Sequence, residues 1–220
     1  MIYIIKKYKM NNLFVLDFET TGLNPYFNDP IEIAIKKLNS EKFYQSFIIP
    51  KQYNIHYQYI PPKITDITHI TEDMIINDGK EKLSVIKECF DFIKENSQRG
   101  PIYIIAHNGH SFDFIIFKKL IIEYNEKHND NPIQKRILNR INFIDTVLVS
   151  KLFLEEERVN QPGLCKRYNI HNDSEHRALG DVNALEKLYI KLCEQYSYQK
   201  NYHRNYYLEN PHKIIQNCFI

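Results

Sequence analysis

The sequence has no tryptophan, only 6 glycines among its 220 residues, and 4 cysteines that lie far apart. Cys89, Cys165, Cys193 and Cys218 include no closely spaced pair of the kind that holds zinc, and a chain of this length does not need disulfides to fold. This cysteine usage favours a reducing compartment. We therefore expect a soluble, intracellular protein of the cytoplasm or nucleus rather than a secreted one.

Long apolar runs are also missing. No stretch approaches the ~20 apolar residues that a membrane-spanning helix needs. The N-terminal segment MIYIIKKYKM has an apolar stretch too short for a signal peptide, and it has no small-residue cleavage site. We therefore expect the protein to have no membrane partner.

The chain also has little net charge, +2 at pH 7. No global electrostatic field then marks it as a nucleic-acid binder, so any polyanion that it holds must meet a local positive patch or metal ions. The composition, 43% hydrophobic and 25% charged, is that of an ordinary globular protein. A chain of 220 residues is long enough for one domain with a substantial core.

Strand and helix patterns alternate along the chain after a leading group of strands. Apolar runs bounded by polar turns predict five strands, at 13–18, 32–38, 42–49, 101–106 and 141–144. Helical spacing of apolar residues predicts helices at 80–96, from a Ser111 cap onward, 145–154 and 178–195, while 50–76 reads as irregular. This order predicts an α/β domain with a mixed central sheet over 1–195, followed by a basic, tyrosine-rich tail at 196–220.

Asp17 and Glu19 stand two residues apart at the end of the apolar run FVLDFET. Side chains alternate along a strand, so these two carboxylates would point to the same face of the sheet. They would repel each other and lose hydration unless a cation lay between them. Mg²⁺ or Mn²⁺ would suit such oxygen ligands. The alternative is a strand that ends at Asp17 with both acids solvated, which is the commoner case for an isolated D-x-E.

Two further acids lie beside predicted elements. Asp113, in AHNGHSFDF, comes just after the strand that ends near Ala106, and Asp181, in HRALGDVNALEKLY, comes near the start of the last helix. His176 precedes Asp181 by five residues, a spacing that separates two side chains on a helix by more than a quarter turn. We therefore expect His176 on the approach to the helix and Asp181 inside it, both facing one cleft.

The stretches DFETTGL, HNGHSFDF and HRALGDVNAL resemble, in this order, the three motifs of the DnaQ-like DEDDh 3′–5′ exonuclease superfamily. ITDITHITEDMI and FIDTVLVSKLF are similar to the segments that connect those motifs, so the resemblance runs from about Leu13 to about Tyr189. It implies a ribonuclease-H-like α/β fold, with a mixed five-stranded sheet that has one antiparallel strand and is flanked by helices.

The same resemblance implies roles for individual residues. The metal-binding acids would be Asp17, Glu19, Asp113 and Asp181, which would hold two divalent cations, Mg²⁺ or Mn²⁺. The general base would be His176. Substrate contacts would come from Thr20, Thr21, Gly22 and Leu23, which would cradle the terminal nucleotide, and from Asn108 and Phe112, which would line the groove.

These residue types suit phosphodiester hydrolysis. Two divalent ions about 3.5–4 Å apart can stabilise both the attacking and the leaving oxygen. Histidine can accept a proton from water near neutral pH. We therefore predict a metal-dependent 3′–5′ exonuclease that releases nucleoside 5′-monophosphates from the 3′ ends of single-stranded DNA or RNA.

Three alternatives stay open. They are a 3′–5′ exoribonuclease similar to oligoribonucleases, a proofreading or DNA-repair subunit with a polymerase or replication partner, and a catalytically silent module that docks to nucleic acid or a polymerase. Recognition of the 2′-hydroxyl would separate RNA from DNA. The short tail without a flexible linker favours a stand-alone enzyme, and the presence of all five site residues disfavours the silent module. The resemblance also admits a homodimer, which no residue pattern demands.

Other polar residues near the motifs have simpler interpretations. Asp145 follows a strand as Asp17 does, and we interpret it as the N-cap of the next helix rather than a fifth ligand. Lys166, Arg167 and Arg177 form either a phosphate-facing patch or a solvated basic face. The tail from Tyr196 interleaves tyrosine with basic residues, as single-strand binders do, but the chain is rich in tyrosine throughout, which favours packing against the domain.

Overall fold

In the computed structural model, residues 12–50, 60–154 and 159–218 are described, and the segment MIYIIKKYKM lies outside them. The described residues form six strands: β1 Asn12–Thr20, β2 Pro30–Lys37, β3 Phe43–Ile49, β4 Lys80–Glu81, β5 Ile102–Ala106 and β6 Ile141–Asp145. They form ten helices: α1 Pro62–Thr68, α2 Glu72–Asp78, α3 Lys82–Asn96, α4 Asp113–Lys127, α5 Lys135–Leu138, α6 Thr146–Leu154, α7 Gln161–Arg167, α8 Ala178–Gln199, α9 Tyr206–Glu209 and α10 Pro211–Cys218.

The strands form one sheet in the order β4-β3-β2-β1-β5-β6. β2 is antiparallel to both β1 and β3, and the other neighbouring pairs are parallel. The predicted mixed sheet with one antiparallel strand is therefore confirmed for the described strands. The predicted strand number is one too low, because Lys80 and Glu81, expected to begin a helix, form the short edge strand β4. The Glu81 side chain instead caps α3 by accepting hydrogen bonds from the N–H groups of Leu83 and Ser84.

Alternation along β1 sends its side chains into two different layers. Phe14, Leu16 and Phe18 are buried in the layer that contains α3 and α4. Leu13 and Val15 are buried in the opposite layer, against α8. Asp17 and Glu19 continue this second series, so both carboxylates face the α8 side of the sheet. Because β1 continues to Thr20, the alternative in which the strand ends at Asp17 is wrong.

The α8 layer extends into the segment that the sequence treated as a tail. α8 continues to Gln199, four residues beyond its predicted end. Tyr207, Leu208 and Ile214, from α9 and α10, are buried in the same cluster as the apolar face of α8. Tyr196 stacks on Phe153 with ring centroids 3.7 Å apart. The described part of the segment after residue 195 therefore packs onto the domain.

Several helix starts differ from the predictions. α4 begins at Asp113 after Phe112, which makes no side-chain cap, so the predicted Ser111 cap is wrong. The Ser111 N–H instead donates to the carbonyl of Asn108 inside a turn. Helices α1 and α2 lie in the stretch predicted to be irregular, and α7 in a polar stretch. Each has seven residues, too few for apolar periodicity to reveal a helix.

None of the helices in the described ranges combines the length and the apolar content that crossing a bilayer requires.

Candidate active site

The site residues meet at the carboxyl ends of β1 and β5. Asp17 and Glu19 lie at the end of β1, Asp113 begins α4 after β5, and α8 brings Asp181 across from the opposite layer. In sheets of this type, ligands bind in the crevice outside the carboxyl ends of the parallel strands. The sheet topology therefore brings together four acids that are separated by as many as 164 positions in the chain.

Three of the acids form a compact group. One carboxylate oxygen from each of Asp17, Glu19 and Asp181 lies within 4.8 Å of the other two. All three side chains are half-buried, and the group offers only carboxylate oxygens. Mg²⁺ and Mn²⁺ prefer oxygen ligands of this kind, whereas softer metals prefer thiolate or imidazole. The donor set therefore fits a hard divalent cation.

The electrostatics of this group are unfavourable without a cation. Burial, and then repulsion from Asp113, Glu19 and Asp181, raises the pKa of Asp17 well above its usual range. Burial and the charges of Asp181 and Glu32 raise the pKa of Glu19 to about 8. Burial raises the pKa of Asp181 to about 6, although His176 and hydrogen bonds oppose the shift. A divalent cation would relieve this repulsion and lower all three pKa values.

Asp113 lies beside the group of three rather than within it. The ladder between β1 and β5 ends at the pair Val15 and Ile105, so the N–H of Phe18 has no partner on β5. The buried carboxylate of Asp113 accepts that N–H at 3.1 Å. Burial raises the pKa of Asp113 to about 7, and the hydrogen bond from Phe18 opposes the shift. Among neighbouring charges, Asp113 is the largest contributor to the raised pKa of Asp17.

His176 lies in the turn before α8, and Asp181 lies inside the helix, as the spacing predicted. The backbone N–H of His176 donates to Oδ2 of Asp181 at 3.0 Å. His176 has φ 62°, in the left-handed region where few residues other than glycine are found. Its ring is about half exposed, with Nε2 3.8 Å from Glu175 Oε1. The turn therefore holds His176 next to Asp181 and leaves the ring accessible.

Gly180 makes this turn possible. A glycine in the first turn of a helix normally weakens it. Here a Cβ on residue 180 would lie 2.2 Å from the backbone oxygen of Ser174, far inside contact distance. The absence of a side chain lets the turn that contains Ser174 and His176 pack directly against α8. The glycine is thus required by the close approach that positions His176.

Two residues that the motifs did not indicate support Asp181. The side-chain amide of Asn172 donates to Oδ1 of Asp181 at 2.8 Å. The side-chain amide of Gln161 donates to the backbone oxygen of Asp181 at 3.1 Å. Both residues come from the polar stretch between α6 and α8. Nothing in their local pattern distinguishes them from ordinary loop residues.

Glu32 is a fully buried acid next to the site that sequence reasoning also missed. It lies opposite Glu19 in the ladder between β1 and β2. Its carboxylate accepts hydrogen bonds from Arg177 Nη2 at 2.9 Å and Nε at 3.2 Å, and from the N–H of Ala178 at 3.0 Å. The side chain of Gln45 donates to it at 2.8 Å. The signal for Glu32 was a single acid within the apolar run PIEIAI.

The pairing with Glu32 fixes the position of Arg177, one of the three basic residues considered for a phosphate patch. Arg177 is bound to Glu32 and lies 5.4 Å from the centre of the Phe47 ring. Its charge also opposes the rise in the pKa of Glu19. Lys166 and Arg167 are exposed near the end of α7. The structure therefore separates Arg177, which anchors α8 to β2, from the two exposed residues.

Asp145 is confirmed as a cap. Its Oδ1 accepts the N–H of Val147 at 2.9 Å, at the start of α6. The same carboxylate accepts the N–H groups of Asn108 and His110, each at 3.0 Å. These bonds fix the loop between β5 and α4, which leads to Asp113. Asp145 therefore shapes the site through the backbone, with both oxygens already hydrogen-bonded.

The residues predicted to contact substrate lie at the end of β1, on the loop that follows it and on the loop between β5 and α4. At the end of β1, the hydroxyl of Thr20 donates to the carbonyl of Gly22 at 2.6 Å, and the N–H of Thr21 donates to the carbonyl of Asp29 at 2.9 Å. The loop is therefore closed at its base, while the side chain of Leu23 is 91% exposed at its tip.

The other two predicted contact residues lie on the loop between β5 and α4. Asn108 is exposed and has φ 58°, while Phe112 is half-buried against the α3 and α4 layer. Their contact with substrate stays a prediction, as does that of the four residues from Thr20 to Leu23.

The family comparison assigns this fold, with its acids at the end of β1, to the class of DnaQ-like exonucleases. The chain belongs to the exonuclease family RNase_T, whose family model matches residues 14–189. It is 30% identical to the DNA polymerase III PolC-type of Mycoplasma genitalium over 191 residues, and 28% identical to that of Bacillus subtilis over 187 residues. Each match covers 82% of this chain and 11% of the relative. The chain thus spans about a tenth of the length of these polymerases.

Solved structures give the same fold at lower sequence identity. E. coli exonuclease I in complex with a dT13 oligonucleotide matches with a TM-score of 0.64 at 18% identity, covering 86% of this chain and 42% of that chain. The same enzyme with a dA16 oligonucleotide matches with a TM-score of 0.64 at 16% identity, covering 91% and 42%. At this identity, the likeness establishes the architecture alone.

Proposed function

We propose that this chain is a metal-dependent 3′–5′ exonuclease that removes nucleoside 5′-monophosphates from the 3′ ends of single-stranded nucleic acid. The observation that carries the proposal is the group of three carboxylates, Asp17, Glu19 and Asp181, within 4.8 Å of one another in an exonuclease-family fold. Their raised pKa values express a repulsion that a divalent cation would relieve. Substrate phosphates would need the same cation to approach these acids.

Asp17, Glu19 and Asp181 would hold a divalent cation, Mg²⁺ or Mn²⁺, and Asp113, which lies beside them, would help to hold a second one. When bound, the ions would supply charge stabilisation for the attacking and leaving oxygens of the phosphodiester. Asp113 would also keep the end of β1 in place through its hydrogen bond to Phe18. Asn172 would orient Asp181 by donating to its Oδ1.

His176 would accept the proton of the attacking water. Histidine exchanges protons near neutral pH, and this ring is accessible and lies next to Asp181. Leu23, exposed at the tip of the loop after β1, would pack against the terminal base, while the backbone at Thr20 to Gly22 would meet the 3′-hydroxyl. Asn108 and Phe112 would border the strand on the other side.

The direct test uses 5′-labelled single-stranded DNA and RNA of matched sequence, each incubated with Mg²⁺, with Mn²⁺ or with chelator. We expect a ladder that shortens progressively from the 3′ end only when metal is present. The faster substrate would decide between a DNA exonuclease and an exoribonuclease. Release of the 5′ label as a mononucleotide in the first turnover would show instead that the strand is degraded from its 5′ end. No cleavage of either strand by folded, metal-bound protein would favour a silent docking module.

A second candidate is proofreading beside a polymerase. It is favoured by the 30% identity to a DNA polymerase III PolC-type, of which this chain corresponds to 11%. A proofreading exonuclease should remove a mispaired 3′ terminus from a primer–template duplex faster than a paired one. Equal rates on both termini, with faster cleavage of free single strands, would oppose this candidate. Co-purification of a polymerase with the full chain would favour it.

A further inference from the structure

A basic cleft lies beside the amino ends of β5 and β6, on the α3 side of the sheet, whereas the acids lie at the carboxyl ends of β1 and β5. Its volume is about 460 Å³, and its charged lining consists of Lys87, Lys94, Arg99, Arg136, Arg140 and Asp91. Lys87 and Lys94 come from α3, Arg99 from the loop before β5, Arg136 from α5, and Arg140 from the position just before β6. Gly100, which immediately precedes the β5 segment, also lines the cleft. The cleft is therefore built from three separate segments.

Its positive charge is concentrated far above the average for the chain. Five cationic residues and one acid line this single cleft, whereas the net charge of the whole chain is only +2. A local patch of this kind is what a nearly neutral protein needs in order to attract a polyanion. The cleft supplies that patch away from the four acids.

Three of the five cations are available to a ligand. Lys87 is bound to Asp91 at 2.6 Å, and the guanidinium of Arg140 donates to the backbone oxygens of Gly100 and Gln98. Lys94, Arg99 and Arg136 are exposed and form no ion pair with any residue in the described ranges. These three side chains therefore keep their full charge for a bound anion.

The spread of the cations favours a chain of phosphates over a single anion. Lys94, the available lysine, lies near the end of α3. Arg99 and Arg136 extend the positive surface onto two other segments. Phe90, the aromatic residue of the lining, is only 3% exposed and offers no face for a base to stack on. The contacts available are thus to backbone charge, without base recognition.

We propose that this cleft binds the phosphate backbone of a single nucleic-acid strand, upstream of the 3′ end held at the acids. This inference rests on the proposed function for the identity of the strand. The five residues of β5 rise by roughly 16 Å, which is the least distance between the cleft and the acidic site, and because β5 is buried a bound strand would take a longer path over the surface. A mononucleotide cannot span that distance, whereas a strand of several nucleotides can. The cleft therefore favours longer strands over the mononucleotide product.

The test measures binding of a fluorescent oligothymidylate of about 20 nucleotides to the full chain in chelator, by anisotropy at several salt concentrations. Without metal the four acids repel phosphate, so the signal reports positive charge elsewhere. The cleft variant is Lys94→Glu with Arg136→Glu. The control, Lys151→Glu with Lys191→Glu, makes the same charge change at exposed positions on α6 and α8.

We expect the cleft variant to bind the strand about tenfold more weakly, with the slope of log K against log salt reduced by about 1.4, as loss of two phosphate contacts predicts. The control should stay within about twofold of the parent protein. Melting curves for both variants exclude unfolding as the cause. Equal loss of affinity in the two variants, or none in either, would overturn the proposal.

Competition identifies the source of the phosphate. Thymidine monophosphate at the same phosphate concentration should displace little of the labelled strand. Full displacement by the mononucleotide would assign the cleft to a free nucleotide and overturn the strand proposal, as would tighter binding of a glutamate-rich peptide. None of these measurements requires hydrolysis, so a failure of the proposed exonuclease activity would be detected separately, in the metal-containing ladder assay.

Discussion

Glu19 and Glu32 lie opposite each other in the same strand ladder, yet their carboxylates have contrasting surroundings. Glu32 accepts four hydrogen bonds, from Arg177, Ala178 and Gln45. For Glu19 and its neighbour Asp17, no donor in the described part of the chain bonds to the carboxylate, and the largest charge effects on their pKa values come from other acids. One ladder thus carries a satisfied buried acid and an unsatisfied one.

The difference separates an architectural role from a ligand-binding role. A buried carboxylate with donors on all sides is already compensated, and it links the elements that provide those donors. Glu32 links β2 to α8 in this way, and Asp145 links the end of β6 to the loop after β5. A pair of buried carboxylates that face other carboxylates lacks such compensation and calls for a cation from outside the chain.

The largest effect is expected from Asp17→Asn. Because Asp17 is central to the proposed cation site, cleavage of labelled oligonucleotide should be abolished. The metal-free variant should melt at the same temperature as the parent protein or higher, since one repelling charge is removed from a buried group. A variant that retains cleavage, or one that unfolds in chelator, would contradict the distinction between Asp17 and the compensated acids.

The next effect is expected from His176→Ala. Removal of a general base should lower the cleavage rate about 10²–10⁴-fold while Mn²⁺ binding is preserved. The exposed His171, which lies on the same approach to α8, provides the matched control as His171→Ala. Equal rates for the two variants, measured in single-turnover assays, would remove His176 from the mechanism.

A smaller effect, on stability rather than chemistry, is expected from Glu32→Gln. The substitution weakens the pairing with Arg177 and the cap at Ala178, so the free energy of unfolding should fall by roughly 2 kcal/mol. The loss stays small because Arg177 is partly exposed and can be solvated. Denaturant unfolding in chelator measures it, with the exposed Glu41→Gln as control. A neutral result would mean that Glu32 does not anchor α8.

The parts of the site that depend on local pattern could be predicted from the sequence. The two-residue period of a strand placed Asp17 and Glu19 on one face, and the helical period placed His176 before α8 and Asp181 inside it. These periods are properties of the backbone, so they do not depend on how the rest of the chain folds. The order of the motifs and their resemblance to the exonuclease superfamily predicted the rest of the site and the single antiparallel strand of the sheet.

The parts that depend on contacts between distant segments could not be predicted. Glu32 and Arg177 are 145 residues apart, and the local sequence at either position does not indicate the other as its partner. The basic cleft gathers its cations from three segments, each of which has the composition of an ordinary exposed surface. Gly180 looked unfavourable for a helix, and only the approach of Ser174 explains it. Packing in three dimensions decides all of these features.

The most direct test of the central claim, that the uncompensated acids form a cation site, is melting temperature against pH with chelator and with Mn²⁺. The pKa values of Glu19, Asp113 and Asp181, about 8, 7 and 6, exceed those of ordinary carboxyls. The folded state therefore binds more protons than the unfolded state between about pH 4 and 8, and metal-free stability should fall as pH rises through that window.

Mn²⁺ requires the ionised carboxylates, so it should raise the melting temperature by a few degrees near pH 8 and by less near pH 5. Together these two trends are the predicted result. Metal-free stability that is constant across this range, with no shift on adding Mn²⁺ to folded protein, would contradict the claim.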